Sequence, residues 1–234
     1  ASPSARYARS NVYAPKPATT LLLNRDVPVE DLGMLYAFAA PEASVKNQAL
    51  SQILARHLRV RAFETLRTEE QLGYAAGGGA LDLYKHPMVI LYIQTPVKGP
   101  QEMLDRFTAY TEEYRDELAA LPEASFEKFK AGVLTALTEP PKNLSAEAGP
   151  FVSDWAIEHY DFDTRAKLIA AVNAATLQDV QRFYEETVFS DASSRIVIQL
   201  RGKRYSERPF ATVEGGVMID DIDKFHNEMP VQAR

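Results

Sequence analysis

A chain of 234 residues with 26 Lys+Arg against 32 Asp+Glu, and a net charge of −6, is long enough for one large domain or two small ones. Its 46% apolar and 25% charged content is that of a globular protein, and basic residues scattered among a surplus of acids argue against a nucleic-acid partner, which needs a concentrated basic surface. Zero cysteines exclude a disulfide framework, a thiol nucleophile and a Cys-ligated metal, and no segment approaches the roughly 18 consecutive apolar residues of a membrane span.

The chain opens ASPSARYARS, with no methionine and no charged start leading into an apolar run, so it is expected to be a piece of a longer protein. Residues 1–17, rich in Ser, Ala and Pro, are expected to form an extended lead-in or linker. TTLLLNRD (19–26) and LGMLYAFAA (32–40) read as short strands that pair with each other as neighbours. After Pro41 the period changes: Leu50, Ile53, Leu54, His57 and Leu58 line one face of a helix over about 42–67. That stripe degrades beyond Arg61, where Phe63 points elsewhere. GYAAGGGALDL (73–83) and PMVILYIQT (87–95) form a hairpin whose second strand is apolar enough to be central.

Helical patterns follow. Met103, Leu104, Phe107, Tyr110, Tyr114 and Leu118 mark one, and Phe126, Phe129, Val133, Leu134 and Leu137 mark another, which Pro140 and Pro141 end. Phe151, Val152, Trp155 and His159 form the apolar stripe of a third. Leu168, Ile169 and Val172 mark a short helix, and Thr176 with Asp179 reads as a capping box opening another through Val180, Phe183 and Tyr184. SSRIVIQLRG (193–202) is the expected final strand, and the tail over 204–234 is expected to be mostly irregular. This order, without recurrent βαβ alternation, predicts an α+β domain over 18–203: an antiparallel or mixed sheet of about five to six strands with helices mainly on one face.

Few residues offer chemistry. The four histidines, His57, His86, His159 and His226, match neither H-E-x-x-H nor H-x-x-E-H. His57 and His159 fall on apolar helix faces as hydrogen-bonded core histidines, and His86 and His226 are loop-like and have no assigned role. Gly77-Gly78-Gly79 fits no phosphate-binding pattern and reads as a strand of small residues where another backbone or a ligand comes close. Asp161 and Asp163 could hold a cation but read more simply as a solvated loop. No G-x-S-x-G elbow occurs.

The stretch FETLRTEEQLGY (63–74) remains. It can be a plain helix stop, with Gly73 supplying a backbone of positive φ, or Thr68 and Gln71 can cap a new turn. On spacing alone a structural role is the simpler reading. The same corner can also aim the Arg67 guanidinium and the Tyr74 phenol into one cleft, the first a fork of donors for carbonyls or carboxylates, the second a donor to an oxyanion.

This stretch closely resembles the L-R-T-x-E-Q-L-G-Y segment of the pitrilysin and insulin-degrading-enzyme family of zinc metallopeptidases. The strand order around it, EPPKNLSAEA (139–148), FDTRAKLIAAV (162–172) and the IVIQL strand resemble the last of the homologous domains in that family, over residues 18–203, with a weaker likeness in the tail. The resemblance implies the C-terminal domain of an endopeptidase that degrades peptides in a closed chamber. In this role Arg67 contacts the substrate backbone and Tyr74 hydrogen-bonds near the scissile carbonyl as a catalytic oxyanion support. It implies zinc in the full-length enzyme, held by an N-terminal domain that carries H-x-x-E-H and is missing here, so this chain supplies no metal ligand and is inactive alone. The implied partners are the N-terminal half of the same polypeptide and peptide substrates. The implied location is the periplasm, with the cytoplasm as alternative. The run Ala75-Ala76-Gly77-Gly78-Gly79 departs from the bulkier residues of that family's strand and leaves the cleft's side-chain preference open. The alternative function is a non-catalytic peptidase-like scaffold or peptide-binding module.

Overall fold

The computed structural model describes residues 17–83 and 86–228, so the expected lead-in over 1–17 lies almost entirely outside the described residues. Six strands build one mixed sheet: β1 (Thr20–Asp26), β2 (Leu32–Ala39), β3 (Ala75–Leu83), β4 (His86–Thr95), β5 (Ser194–Arg201) and the two-residue β6 (Val217–Met218). Their order is β3-β4-β2-β5-β1-β6. β5 and β6 run parallel to β1, and the β2–β4, β2–β5 and β3–β4 pairs are antiparallel.

Pleat alternation places Leu32, Met34, Tyr36 and Phe38 of β2 on one face, with Val89, Leu91 and Ile93 of β4 and Val197 of β5. That face receives the helices. α1 (Val45–Ala62) lies on β3 and β4, while α2 (Pro100–Ala119) and α6 (Leu177–Val188) lie on β2. α3 (Glu123–Thr138) and α5 (Thr164–Ala174) pack against α1 and each other, α4 (Leu144–Ala156) packs on α5, and α7 (Ile222–Glu228) comes last. The opposite face carries Leu35, Ile90 and Ile198, part-buried, and Tyr92 and Leu200, exposed. The α+β class, the mixed sheet and the hairpin are as expected.

Local chemistry explains the element ends. Ser44 caps α1 by accepting from the Asn47 amide at 3.1 Å, so the helix starts there rather than directly after Pro41. The Thr176–Asp179 capping box forms as read: Thr176 Oγ1 accepts from the Asp179 amide at 3.1 Å and Asp179 Oδ2 from the Thr176 amide at 3.2 Å. Lys46 reaches the other Asp179 oxygen at 2.9 Å, which joins the starts of α1 and α6.

Several expectations are corrected. β1 and β2 do not pair with each other; β5 lies between them, so the link over 27–31 spans two strand spacings, about 10 Å. β5 is not the last strand, because β6 follows on the outer edge of β1. Beyond β5 the chain still contributes to the core through Tyr205 and Ala211. Buried Gln199 holds this return: its Nε2 donates to the Ala211 carbonyl at 2.9 Å and its Oε1 accepts from the Ala211 amide at 2.8 Å. The apolar stripe of α4 faces outward, with Phe151, Val152 and Trp155 exposed and only Asp154 of that helix buried. His86 belongs to β4 and His226 to α7 rather than to loops, and His159 follows α4 instead of lying on its apolar face, because the helix stops at Ala156 and Glu158 turns the chain at φ 60°.

His57 is the hydrogen-bonded core histidine expected. Its Nδ1 shares a hydrogen bond with the Tyr114 hydroxyl at 3.0 Å, and its ring packs against Phe129 at 5.0 Å between centroids. Burial, reinforced by the neighbouring Arg61 charge, pushes its pKa down from 6.5 to about 4. Between these values the unfolded chain takes up a proton that the folded chain excludes, so this group's stabilisation is complete above about pH 6.5 and is lost as pH falls toward 4. The loss should amount to at most about 3 kcal/mol. Urea unfolding of the domain and of His57→Gln across this window should show a shallower pH slope in the variant; equal slopes would refute it.

Candidate functional site

The corner grows out of α1 without a break. At Phe63 the helix widens into a π-helical turn, Phe63–Glu69, in which the Glu70 amide donates to the Thr65 carbonyl at 2.9 Å. Leu66 within it and Leu72 just beyond it are buried, and the Leu72 amide donates to the Leu66 carbonyl at 3.0 Å. The widened turn lets the chain keep both leucines in the core while the residues between them stay at the surface. No capping box forms at Thr68 and Gln71, because no helix starts there.

Gly73 does not supply the positive φ; Gln71 does, at 53°. Gly73 is needed for a different reason. A Cβ on it would lie 1.9 Å from the Gln94 carbonyl oxygen of β4, so only a glycine lets the corner close on the sheet. Thr95 completes the closure, its hydroxyl donating to the Leu72 carbonyl at 2.5 Å. From the other side Arg106 of α2 grips Glu70, with Nε 2.8 Å from Oε2 and Nη2 2.5 Å from Oε1, and it also holds Glu113 at 2.8 Å. These bonds, foremost those to Glu70, hold the Arg106 guanidinium above its ordinary pKa.

On this support the structure brings Arg67 and Tyr74 together. The Arg67 guanidinium carbon lies 4.8 Å from the centre of the Tyr74 ring and 4.5 Å from that of Phe63. Tyr74 is 85% exposed. Two of the three nearby acids are engaged elsewhere, Glu64 accepting from Arg61 at 2.5 Å and Glu70 from Arg106, and the third, exposed Glu69, makes no ion pair with Arg67. Arg61 in turn is paired with Glu117. Among the described residues no acceptor engages the part-buried Arg67 guanidinium and none engages the exposed Tyr74 hydroxyl, so the hydrogen-bonding capacity of both is unused.

The sequence reading missed Phe63, Glu70 and Arg106. Phe63 carried a signal, an aromatic four residues before Arg67 and off the apolar stripe of the helix. Arg106 carried none, since it lies 36 residues from Glu70. Close packing accounts for two of the three glycines in the β3 run: a Cβ at Gly78 would lie 2.7 Å from Leu58 of α1, and one at Gly77 2.8 Å from the Tyr92 hydroxyl. His159, Asp161 and Asp163 converge, with one ligand-type atom of each within 4.8 Å of the others. However, Asp163 already binds His159 at 2.7 Å and Lys167 at 3.0 Å, so the loop is largely self-paired.

Comparisons with known proteins match this corner and fold. A family model described as PQQ synthase PqqF-like, C-terminal lobe domain 4, matches residues 53–152. Protease 3 of Escherichia coli K12 is 24% identical over 187 residues, covering 80% of this chain and 19% of its own. The A-factor-processing enzyme of Saccharomyces cerevisiae is 27% identical over 187 residues, 77% of this chain and 18% of its own. Human insulin-degrading enzyme is 26% identical over 152 residues, 65% of this chain and 15% of its own. The crystal structure of pitrilysin superposes with a TM-score of 0.88 at 21% identity, over 98% of this chain and 25% of that one. The chain spans about a fifth of the length of the curated relatives it matches.

Two glycines separate the packing roles. Gly73→Ala should destabilise the domain by about 3 kcal/mol, because the added carbon meets rigid backbone. Gly79→Ala, with nothing within 4 Å of its added carbon, should change stability by under about 0.5 kcal/mol. Urea denaturation midpoints decide it, and similar shifts at both sites would refute the closure described.

Proposed function

Since the chain is a C-terminal domain of the insulinase-type (M16) peptidase family, we propose that it supplies substrate-binding and oxyanion-stabilising groups, but no metal ligand, to a zinc-dependent metalloendopeptidase. The observation that carries this reading is the corner itself: Arg67 and Tyr74 stacked together, both with unused hydrogen-bonding capacity, on a turn clamped from two sides. In this role the Arg67 fork donates to backbone carbonyls of an extended peptide and sets its register. The Tyr74 hydroxyl donates to the carbonyl oxygen as negative charge develops on it during attack.

The zinc belongs to the preceding part of the polypeptide, where it would supply Lewis-acid activation of water. The histidines described here suit other tasks: His57 is buried on Tyr114 and His159 is paired with Asp163. The rest of the polypeptide is also the proposed partner of this domain around a peptide-enclosing chamber. The outward apolar side chains of α4, with Trp155 65% exposed, support an assembly in which this domain does not stand alone.

In the full-length protein Tyr74→Phe should lower kcat by about 10- to 1,000-fold, the range of single oxyanion-donor losses, with the fold unchanged because the hydroxyl has no partner among the described residues. Steady-state cleavage of a quenched-fluorescent unstructured peptide measures it. The domain alone should neither retain stoichiometric zinc nor cleave that peptide, as metal analysis and the same assay would show. An unchanged kcat in the variant would remove Tyr74 from the chemistry and favour the scaffold alternative.

A further inference from the structure

We propose that Phe63 is a positioning residue: its ring holds the Arg67 guanidinium against Tyr74, so that both groups meet an extended peptide as one preformed unit. The inference rests on the reading of the corner given above and adds a residue to it.

Arg67 has a long side chain with many rotamers, and the usual means of fixing such a chain is an ion pair. Here no ion pair to Arg67 forms among the described residues: Glu64 is taken by Arg61, Glu70 by Arg106, and Glu69, two residues on and therefore not on the same helix face, makes none with it. What holds Arg67 is a pair of aromatic rings, with its guanidinium carbon 4.5 Å from the Phe63 centroid and 4.8 Å from the Tyr74 centroid. The difference matters chemically. A carboxylate partner consumes the in-plane N–H donors, whereas a ring engages the face of the guanidinium and leaves its edge donors free for a ligand. Stacking therefore fixes the orientation of Arg67 without using the groups that would bind a peptide.

Position in the fold agrees with this. Phe63 opens the π-helical turn, four residues before Arg67, which puts both on the same side of that turn. It is 42% exposed and absent from the main core, so the fold does not need its bulk. Tyr74 cannot hold Arg67 by itself, since it is 85% exposed and has no other side-chain support among the described residues. Phe63 is the ring that ties the pair to α1.

The test uses the full-length protein and a quenched-fluorescent unstructured peptide, with Phe63→Leu, Phe63→Trp, Arg67→Met and the Phe63→Leu/Arg67→Met pair. Phe63→Leu should raise KM about two- to five-fold, the equivalent of one exposed cation–π contact, with kcat nearly unchanged. Phe63→Trp, which restores a ring face, should keep the wild-type KM. In the Arg67→Met background the Leu substitution should add nothing, because its effect passes through the guanidinium. An equal rise in KM in both backgrounds would overturn the proposal and make Phe63 a direct apolar contact of the peptide. So would a wild-type KM in Phe63→Leu when Arg67→Met raises it. If Arg67→Met itself changes neither KM nor kcat, the reading of the corner fails first and Phe63 with it. Thermal midpoints of the Leu and Trp variants should match wild type; a large drop in both, with KM raised in both, would assign the ring a merely structural role.

Discussion

The closure of the 63–74 corner on β4 is the constraint from which the site follows. Gly73 sits against the Gln94 carbonyl, where no side chain fits, and the next residue of β4, Thr95, holds the Leu72 carbonyl with its hydroxyl. These contacts fix where β3 begins, and therefore where Tyr74 stands relative to the helix that precedes it. Because Leu66 and Leu72 are both buried, the turn between them cannot slide without exposing one of them. The π-helical widening resolves the conflict between a helix register set by α1 and a strand register set by β4. The left-handed backbone at Gln71 is the local strain that this solution leaves behind, and a non-glycine residue carries it at an exposed position.

Charge partition around the corner complements the backbone. Three acids, Glu64, Glu69 and Glu70, lie within three residues of Arg67, and none of them pairs with it among the described residues. Instead Arg61 takes Glu64, Arg106 takes Glu70, and Glu117 and Glu113 balance those two arginines from α2. The result is a ring of satisfied ion pairs around one cation that is not satisfied. Isolated surface pairs of this kind add little stability, typically under about 1 kcal/mol each. Their effect here is on specificity: they keep the Glu64 and Glu70 carboxylates from folding over Arg67 and consuming its donors. The bidentate Arg106–Glu70 pair also connects the corner to α2, so the support comes from the body of the fold rather than from the turn.

The sequence shows some of this and hides the rest for physical reasons. Period-2 and period-3.6 patterns locate almost every element, since each has one face in a common core, and Thr176–Asp179 is legible because a cap is a local bond. Pairing between strands is not local. Val197 and the rest of β5 carry no mark that they insert between β1 and β2, so neighbours in sequence look like neighbours in space. The outward stripe of α4 follows the same logic: amphipathicity shows that Phe151, Val152 and Trp155 share a face, not what covers it. At the site, Arg67 and Tyr74 were legible only through a family-specific motif, because a helix stop and a functional corner have the same spacing. Gly73 reads in the sequence as a positive-φ residue, whereas its actual role, a close approach to β4, is a tertiary fact.

The described surface has features that contacts within the described residues do not explain. A tyrosine with its ring in the open, an arginine with unpaired donors and a helix whose apolar side chains face outward each incur a cost in ordering or exposure that nothing within the described residues returns. The helix and the corner that carries the tyrosine and arginine have different supports. α4 rests on α5 alone among its main contacts, at the periphery, whereas the corner is braced by β4 and α2. This separation matters for a part of a longer protein. A surface that docks on other domains can yield and adapt, but groups that meet a substrate must keep their mutual distance while it does. Rigid bracing of residues 63–74 by the central hairpin and by Arg106 meets that requirement, while the main packing of α4 is on α5, which in turn packs on α1. The fold therefore isolates the geometry of Arg67 and Tyr74 from the surface through which the domain would be held.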